Sequence, residues 1–546
     1  MPTTVFADDY GFNAADATSA LQKAFDDPNA SRIVVRDMGT PWLVSQTVFL
    51  RSNKTVVFEA GVKVQAKSET FLDNTKPMFR ALNIDNIELI GEGEGSDRAT
   101  LKMNKSEYTS SEFGHILSFD GAKGFTVKGL KLTGAGGDGL HIAGATWQTA
   151  KPGARTYSEN GLITDIIADN NRRQGLSIES GKNITVRDST FSGTSGTAPS
   201  AGIDLEPTWD FERLENIKIE NVILKDNNGN GLQLSLGNLD DQSAPVSIDV
   251  NNVTIENNNR SGLTLVLYNS DPNDPYRDQP DGSRPSSMAN GNINIRNVDI
   301  AKSNGTFSPF NQPTAGIYIQ SLSGSREDSR NLRANFQNVN ISQTGNGTFA
   351  THPIYIFGFV GDSQPREIGN LSFQNVTVED TLDRPVIKAE LGRSDAFLSN
   401  ISGNITARNP EGVKTDFDFQ TPPSDFSLTV NGQSPKNGLS EIETESNSPT
   451  TGSLRGLNAD VDDDCLYVGA WNQPESGSQG SRAKTSQLQP DQCHHLTIDL
   501  EGSKDVAANT LTGHPMVALL DASQVLSYGV ILAVLVLAVS RRHSIS

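Results

Sequence analysis

At 546 residues the chain exceeds one ordinary globular core, so it holds two or more domains or one elongated domain that grows by repetition. Its 45 Lys and Arg against 65 Asp and Glu leave a net charge of −20, which excludes a broad nucleic-acid-binding face and obliges any polyanionic ligand to find a local basic pocket or bridging cations. Two cysteines, Cys465 and Cys493, exclude a disulfide scaffold and a four-Cys zinc site, while 49 Gly among many Asn, Ser and Thr point to turns rather than long helices.

Met1–Ala7 shows neither the basic nor the apolar stretch of a secretory signal. Further along, one pattern recurs in register, a glycine followed by alternating apolar residues. Its copies are GDGLHIA from Gly137, RQGLSIE from Arg173, SAGIDLE from Ser200, GNGLQLS from Gly229, RSGLTLV from Arg260 and TAGIYIQ from Thr314, with a degenerate HPIYIFG from His352. Between them lies a second alternating strand, as in NITVRDSTFSG from Asn183, NIKIENVILKDN from Asn216 and NLSFQNVTVEDT from Asn370. Each short pair ends in Asn- or Gly-rich turn residues, and a single turn of this kind buries its apolar face only when stacked on others. The expected fold is all-β, a right-handed parallel β-helix. The Asn-x-Ser/Thr sequons at Asn183, Asn252, Asn340, Asn375 and Asn404 recur where coils turn, which favours turn chemistry over glycosylation.

The opening VFADDYGFNAADATSALQKAF (Val5–Phe25) and the strands after it resemble the N-terminal cap helix and first coils of the pectate-lyase-like superfamily, over about Val5 to Val430. That resemblance implies a cap helix and a polysaccharide as partner, since the superfamily holds polysaccharide lyases, glycoside hydrolases, mannuronan C5-epimerases and phage tailspikes. Its activity signatures are incomplete. Tyr10–Asn13 only echoes the Tyr-Gly-Phe-Asp-Pro-His run of mannuronan epimerases, and the Gly-His-Gly and Arg-Ile-Lys elements of polygalacturonases are missing. DNNRRQGLSI from Asp169 and GTAPSAGIDLEP from Gly196 resemble a recurring signature of bacterial β-helix proteins.

The solenoid is expected over residues 1–430, followed by a linker over 431–455, a small region over 456–514 with both cysteines and Trp471, and an apolar tail over 515–546. The run Val525–Val539, followed by Arg541 and Arg542, spans roughly 22 Å as a helix, less than the roughly 30 Å of a bilayer core. It is expected to act as a membrane tether or sorting signal, placing the protein at a bacterial surface or outside the cell, with a buried terminal helix as the bland alternative.

Within each copy the residue between the apolar pair points outward, because alternate side chains of a strand face opposite sides. Stacking then makes an exposed column of His141, Ser177, Asp204, Gln233, Thr264, Tyr318 and Tyr355, joined two residues on by Glu179, Glu206, Ser235 and Gln320. Asp138, Arg172 and Arg173 sit at the turns just before. With coils about 4.8 Å apart and alternate residues about 6.6 Å apart, these groups converge on one sugar-sized site. Asp204 and Glu206 are the candidate acid and base. Arg172 or Arg173, with His141, is expected to hold an anionic group such as a uronic-acid carboxylate, or to pair with the acidic residues of the face. In a β-elimination, His141 or an arginine would instead abstract the proton. Trp147, Trp209, Tyr268 and Tyr276 sit in long insertions on the same side and offer flat faces to sugar rings, with loop packing as the alternative. Asp271, Asp274, Asp278 and Asp281 supply oxygen ligands suited to Ca²⁺, but without EF-hand spacing a solvated acidic loop is favoured. The resulting functions are a polysaccharide-cleaving hydrolase or lyase, or a non-catalytic adhesin or glycan-binding protein.

Overall fold

The computed structural model describes residues 3–432, apart from 74, 109–110, 147–152, 269–288, 306–313, 322–331, 346–349, 359–366, 383, 392–396, 409–417 and 420–423, together with short strands between 458 and 512. The chain divides into two compact units, Met1–Thr444 and Glu445–Ser546.

The first unit is a right-handed parallel β-helix. The Gly-apolar-x-apolar copies form consecutive rungs of one 12-stranded sheet, and the alternating strands between them belong to a 19-stranded sheet around the rest of each coil. Pairing between successive coils is parallel, as in Leu176↔Ile203 and Ile203↔Leu232. The two apolar residues of each copy supply the core: Leu140, Ile142, Leu176, Ile178, Ile203, Leu205, Leu232 and Leu234 are fully buried. In the helix Thr18–Asp26, Ala20, Leu21, Ala24 and Phe25 recur at helical spacing and are all buried, so this helix covers the apolar end of the first coils.

The turns explain the abundance of asparagine. Asn183, Asn216, Asn221 and Asn252 each have φ of 54°, a left-handed conformation that asparagine tolerates better than other non-glycine residues. Their side chains stack from coil to coil: Asn216 donates to Asn183 at 2.9 Å, Asn183 to Asn160 at 2.9 Å and Asn252 to Asn221 at 2.8 Å. Asn340 donates to Asp299 at 2.7 Å, and the Asn404 side-chain oxygen accepts from the Asn375 backbone at 3.4 Å.

The second unit contains short antiparallel pairs, among them Asn458–Asp462 with Cys465–Gly469. Cys493, Trp471 and the run Val525–Val539 lie outside the described residues. The expected membrane location is corrected, because no helix among the described residues is long and apolar enough to cross a membrane.

Candidate functional site

The outward column forms in the expected register. Arg80, Ser118, His141, Ser177, Asp204, Gln233, Thr264, Tyr318 and Tyr355 are successive partners on the 12-stranded sheet. It is not exposed, however. Ser177 and Asp204 are 0% accessible, His141 5% and Gln233 8%. Strand alternation decides which face a side chain takes, not what lies above that face. Here long side chains from the strand ends fold over the column: Arg173 reaches Glu206, and Glu179 reaches His141.

A second departure lies at the glycine that six of the seven copies share. A Cβ on Gly139 would lie 2.7 Å from both Asn171 Nδ2 and Gly175 O, and one on Gly231 would lie 2.3 Å from Ile255 Cγ2. The glycine therefore turns its missing side chain inward, alternation breaks, and the residue before it joins the outer face. This is why Asp138, Gln174 and Asn230 enter the site. Gln174 and Asn230 escaped the period-two reading, although each immediately precedes the glycine of its copy. His115, Ser118 and Asp120 escaped because their coil, GHILSFD from Gly114, places its glycine two residues further from the apolar pair than the other copies do.

Five consecutive coils are tied by charge. Arg80 pairs with Asp120 at 2.9 Å. His141 Nδ1 lies 3.5 Å from Asp120 and its Nε2 lies 3.2 Å from Glu179. Ser118 donates to Asp120 at 2.8 Å. The His141 ring stacks on His115 with centroids 4.3 Å apart and planes 4° from parallel. His115 Nδ1 lies 3.1 Å from the Asp138 backbone nitrogen and 3.3 Å from the Asp138 carboxylate. Ser177 donates to Asp138 at 2.7 Å, and Arg173 lies 3.6 Å from Asp138 and 2.7 Å from Glu206. Asp204 Oδ2 accepts from Gln174 at 2.8 Å and Gln233 at 3.2 Å, while its Oδ1 has no partner among the described residues. Gln233 is itself held by Asn230, which donates to it at 2.6 Å.

These surroundings separate the carboxyl groups. Burial pushes Asp204 well above the usual range, the neighbouring Glu206 pushes it further, and Arg173 only partly offsets them. Glu206 is also raised, by burial against the opposing Arg173 and with help from Glu179 and Asp138. Glu179 behaves oppositely. Burial works against its charge, but His141 outweighs burial and holds Glu179 below the usual range. For His141 itself, burial disfavours the cation, yet Glu179 and Asp120 prevail and raise it to about 10. Burial and the adjacent His141 keep His115 low.

Arg172 departs from the expected cluster. Its Nε donates to Thr197 at 3.0 Å at the bend beside Lys105, while Arg173, next along that bend, takes the site side. Trp209 lies in the loop after Glu206, with its ring 6.2 Å from that of Phe211 and 11° from parallel, and Glu212 accepts from the backbones of Thr208 and Trp209. Trp147, Tyr276 and the Asp271–Asp281 loop lie outside the described residues, as does the side chain of Tyr268. Among the described residues, no group of three or more His, Cys, Asp or Glu side chains is arranged to hold a metal ion.

Residues 95–273 match the family described as right-handed β-helix region. No curated protein matches the chain. Among solved structures, the A-module of the mannuronan C-5 epimerase AlgE4 from Azotobacter vinelandii is similar at TM-score 0.50 and 13% identity, covering 79% of this chain and 100% of that one. A GH87 α-1,3-glucanase catalytic domain in complex with tetrasaccharides is similar at TM-score 0.50 and 13% identity, covering 79% and 67%. The surface adhesin PfbA of Streptococcus pneumoniae reaches TM-score 0.46 and 11% identity, covering 85% and 99%. At such identities the likeness is one of fold, and it agrees with the coil-by-coil register and the matched region: the chain carries a right-handed parallel β-helix.

Proposed function

We propose that the chain is a carbohydrate-active enzyme that hydrolyses a polysaccharide, with Glu206 as the acid and Glu179 as the base or nucleophile. The observation that carries this reading is the pairing of two glutamates at one register position on adjacent coils, each following directly on the partners Ile178↔Leu205, with their acidities pushed in opposite directions. Carboxyl groups separated in this way divide the two roles that glycoside cleavage requires. Glu206 is 33% exposed and Glu179 14%, so both reach the outer surface of the cluster. Asp204 is fully buried between two amides and acts as a positioning residue beneath Glu206 rather than as a group that touches substrate.

Hydrolysis is favoured over elimination because the basic groups are already committed. His141 is an imidazolium at neutral pH, unable to abstract a proton, and Arg173 is bound to Glu206. The fold neighbours, an epimerase and a glucanase by their descriptions, support a glycan as the partner.

The test is a polysaccharide panel incubated with the purified full chain, with both new reducing ends and the absorbance of unsaturated products measured. Glu206→Gln and Glu179→Gln are each expected to lower turnover by about 10²- to 10⁴-fold while leaving binding in place. Unsaturated products, or near wild-type turnover in either variant, would refute the assignment. Binding without cleavage in the unmodified chain would favour the adhesin reading.

A further inference from the structure

The charge accounting of the cluster bears on which glycan can enter. Five carboxyl groups, those of Asp120, Asp138, Glu179, Asp204 and Glu206, meet three cationic side chains, Arg80, His141 and Arg173. Each cation already faces the cluster's own acids. Arg80 is committed to Asp120 at 2.9 Å. His141 is clamped between Asp120 at 3.5 Å and Glu179 at 3.2 Å. Arg173 bridges Asp138 at 3.6 Å and Glu206 at 2.7 Å. Asp204 is held by two amides instead of a cation. Arg172, the remaining arginine expected at the site, points to Thr197.

Resting on the reading above, we infer that this site takes an uncharged glycan and disfavours a polyuronate, because among the described residues its cations are consumed by its own carboxylates and its most exposed acid is Glu206. A sugar carboxylate would have to displace Glu206 from Arg173 or Glu179 from His141 to find a cation, leaving a buried acid unpaired in its place. A proton held on Asp204 or Glu206 lowers the number of carboxylates without freeing a cation, since Arg80, His141 and Arg173 keep their contacts with Asp120, Glu179 and Asp138. An uncharged sugar meets no such obstacle, since its hydroxyls donate to carboxylates and accept from Arg173 without requiring a net charge change. The −20 charge of the whole chain adds to the same bias at low ionic strength.

The experiment is a calorimetric titration of the full chain with tetrasaccharides of glucose, galactose and mannose, and with tetragalacturonate and tetramannuronate, at low and high salt. A neutral tetrasaccharide is expected to bind at least tenfold more tightly than either uronate at low salt, with little salt dependence, and added salt should narrow the gap by relieving repulsion. Glu206→Gln should narrow it as well, by strengthening uronate binding. Uronate binding equal to or tighter than every neutral probe at low salt would overturn the charge argument while leaving a glycan site in place. Binding of none of the five, together with cleavage of nothing in the panel, would overturn the glycan reading itself and this inference with it.

Discussion

Asp120→Asn tests the charge chain that holds Glu179 ionised. In the wild type His141 is flanked by two carboxylates that carry its imidazole from the ordinary 6.5 to about 10. At 1.36 kcal/mol per pH unit, that difference corresponds to roughly 5 kcal/mol in favour of the folded state with a charged ring. The sign follows from the direction. A raised imidazole pKa stabilises fully below pH 6.5 and loses its effect as pH rises towards 10, with a slope of roughly 1.4 kcal/mol per pH unit between those limits. Asn at position 120 keeps the shape and the acceptor for Ser118 but removes one of the two charges, which should lower the His141 pKa by roughly 1 to 3 pH units. Glu179 then loses part of its cationic support near neutral pH, and its own pKa should rise. The assay is NMR titration of the histidine rings in the full chain from about pH 5 to about pH 11, a range that brackets both limits. His115, stacked on His141 and held low by burial and by that ring, is followed in the same titration. A wild-type His141 that is already neutral at pH 7, or one whose titration is unmoved by the substitution, would refute the reasoning and remove the electrostatic support for Glu179.

Two further predictions concern the scaffold. Phe336 and Phe373 stack across neighbouring coils with centroids 5.0 Å apart and both are fully buried, so Phe336→Ala should cost about 3–5 kcal/mol. Since solenoids open locally, the loss should appear as faster amide exchange in the strands Leu332–Ser342 and Glu367–Glu379 and leave the cap helix unchanged. Asn252→Ala removes a 2.8 Å ladder bond and leaves alanine at φ 54°, for an expected loss of about 1–2 kcal/mol measured by urea unfolding. Asn252→Gly should recover part of it; a glycine variant no more stable than the alanine one would show that backbone strain is not the cause.

The coils were legible in the sequence because their physics is local and repeated. A strand that buries one face must alternate, a tight turn needs asparagine or glycine, and both requirements leave a period that survives any loop inserted between copies. The register of His141, Ser177, Asp204 and Gln233 follows from that period, and so does the meeting of Glu179 with Glu206 on adjacent coils. What the period cannot carry is anything that depends on neighbours distant along the chain. The inward bend at Gly139 and Gly231, which brings Asp138 and Asn230 into the site, arises from the close approach of the next coil's backbone and of core side chains. The coil of His115 and Asp120 disguised itself by shifting its glycine. Burial of the column, the diversion of Arg172 to Thr197 and the opposite acidities of Glu179 and Glu206 are many-body results. Each depends on which charged side chains fold over the sheet and how much water they exclude, and only the stacked coils decide that.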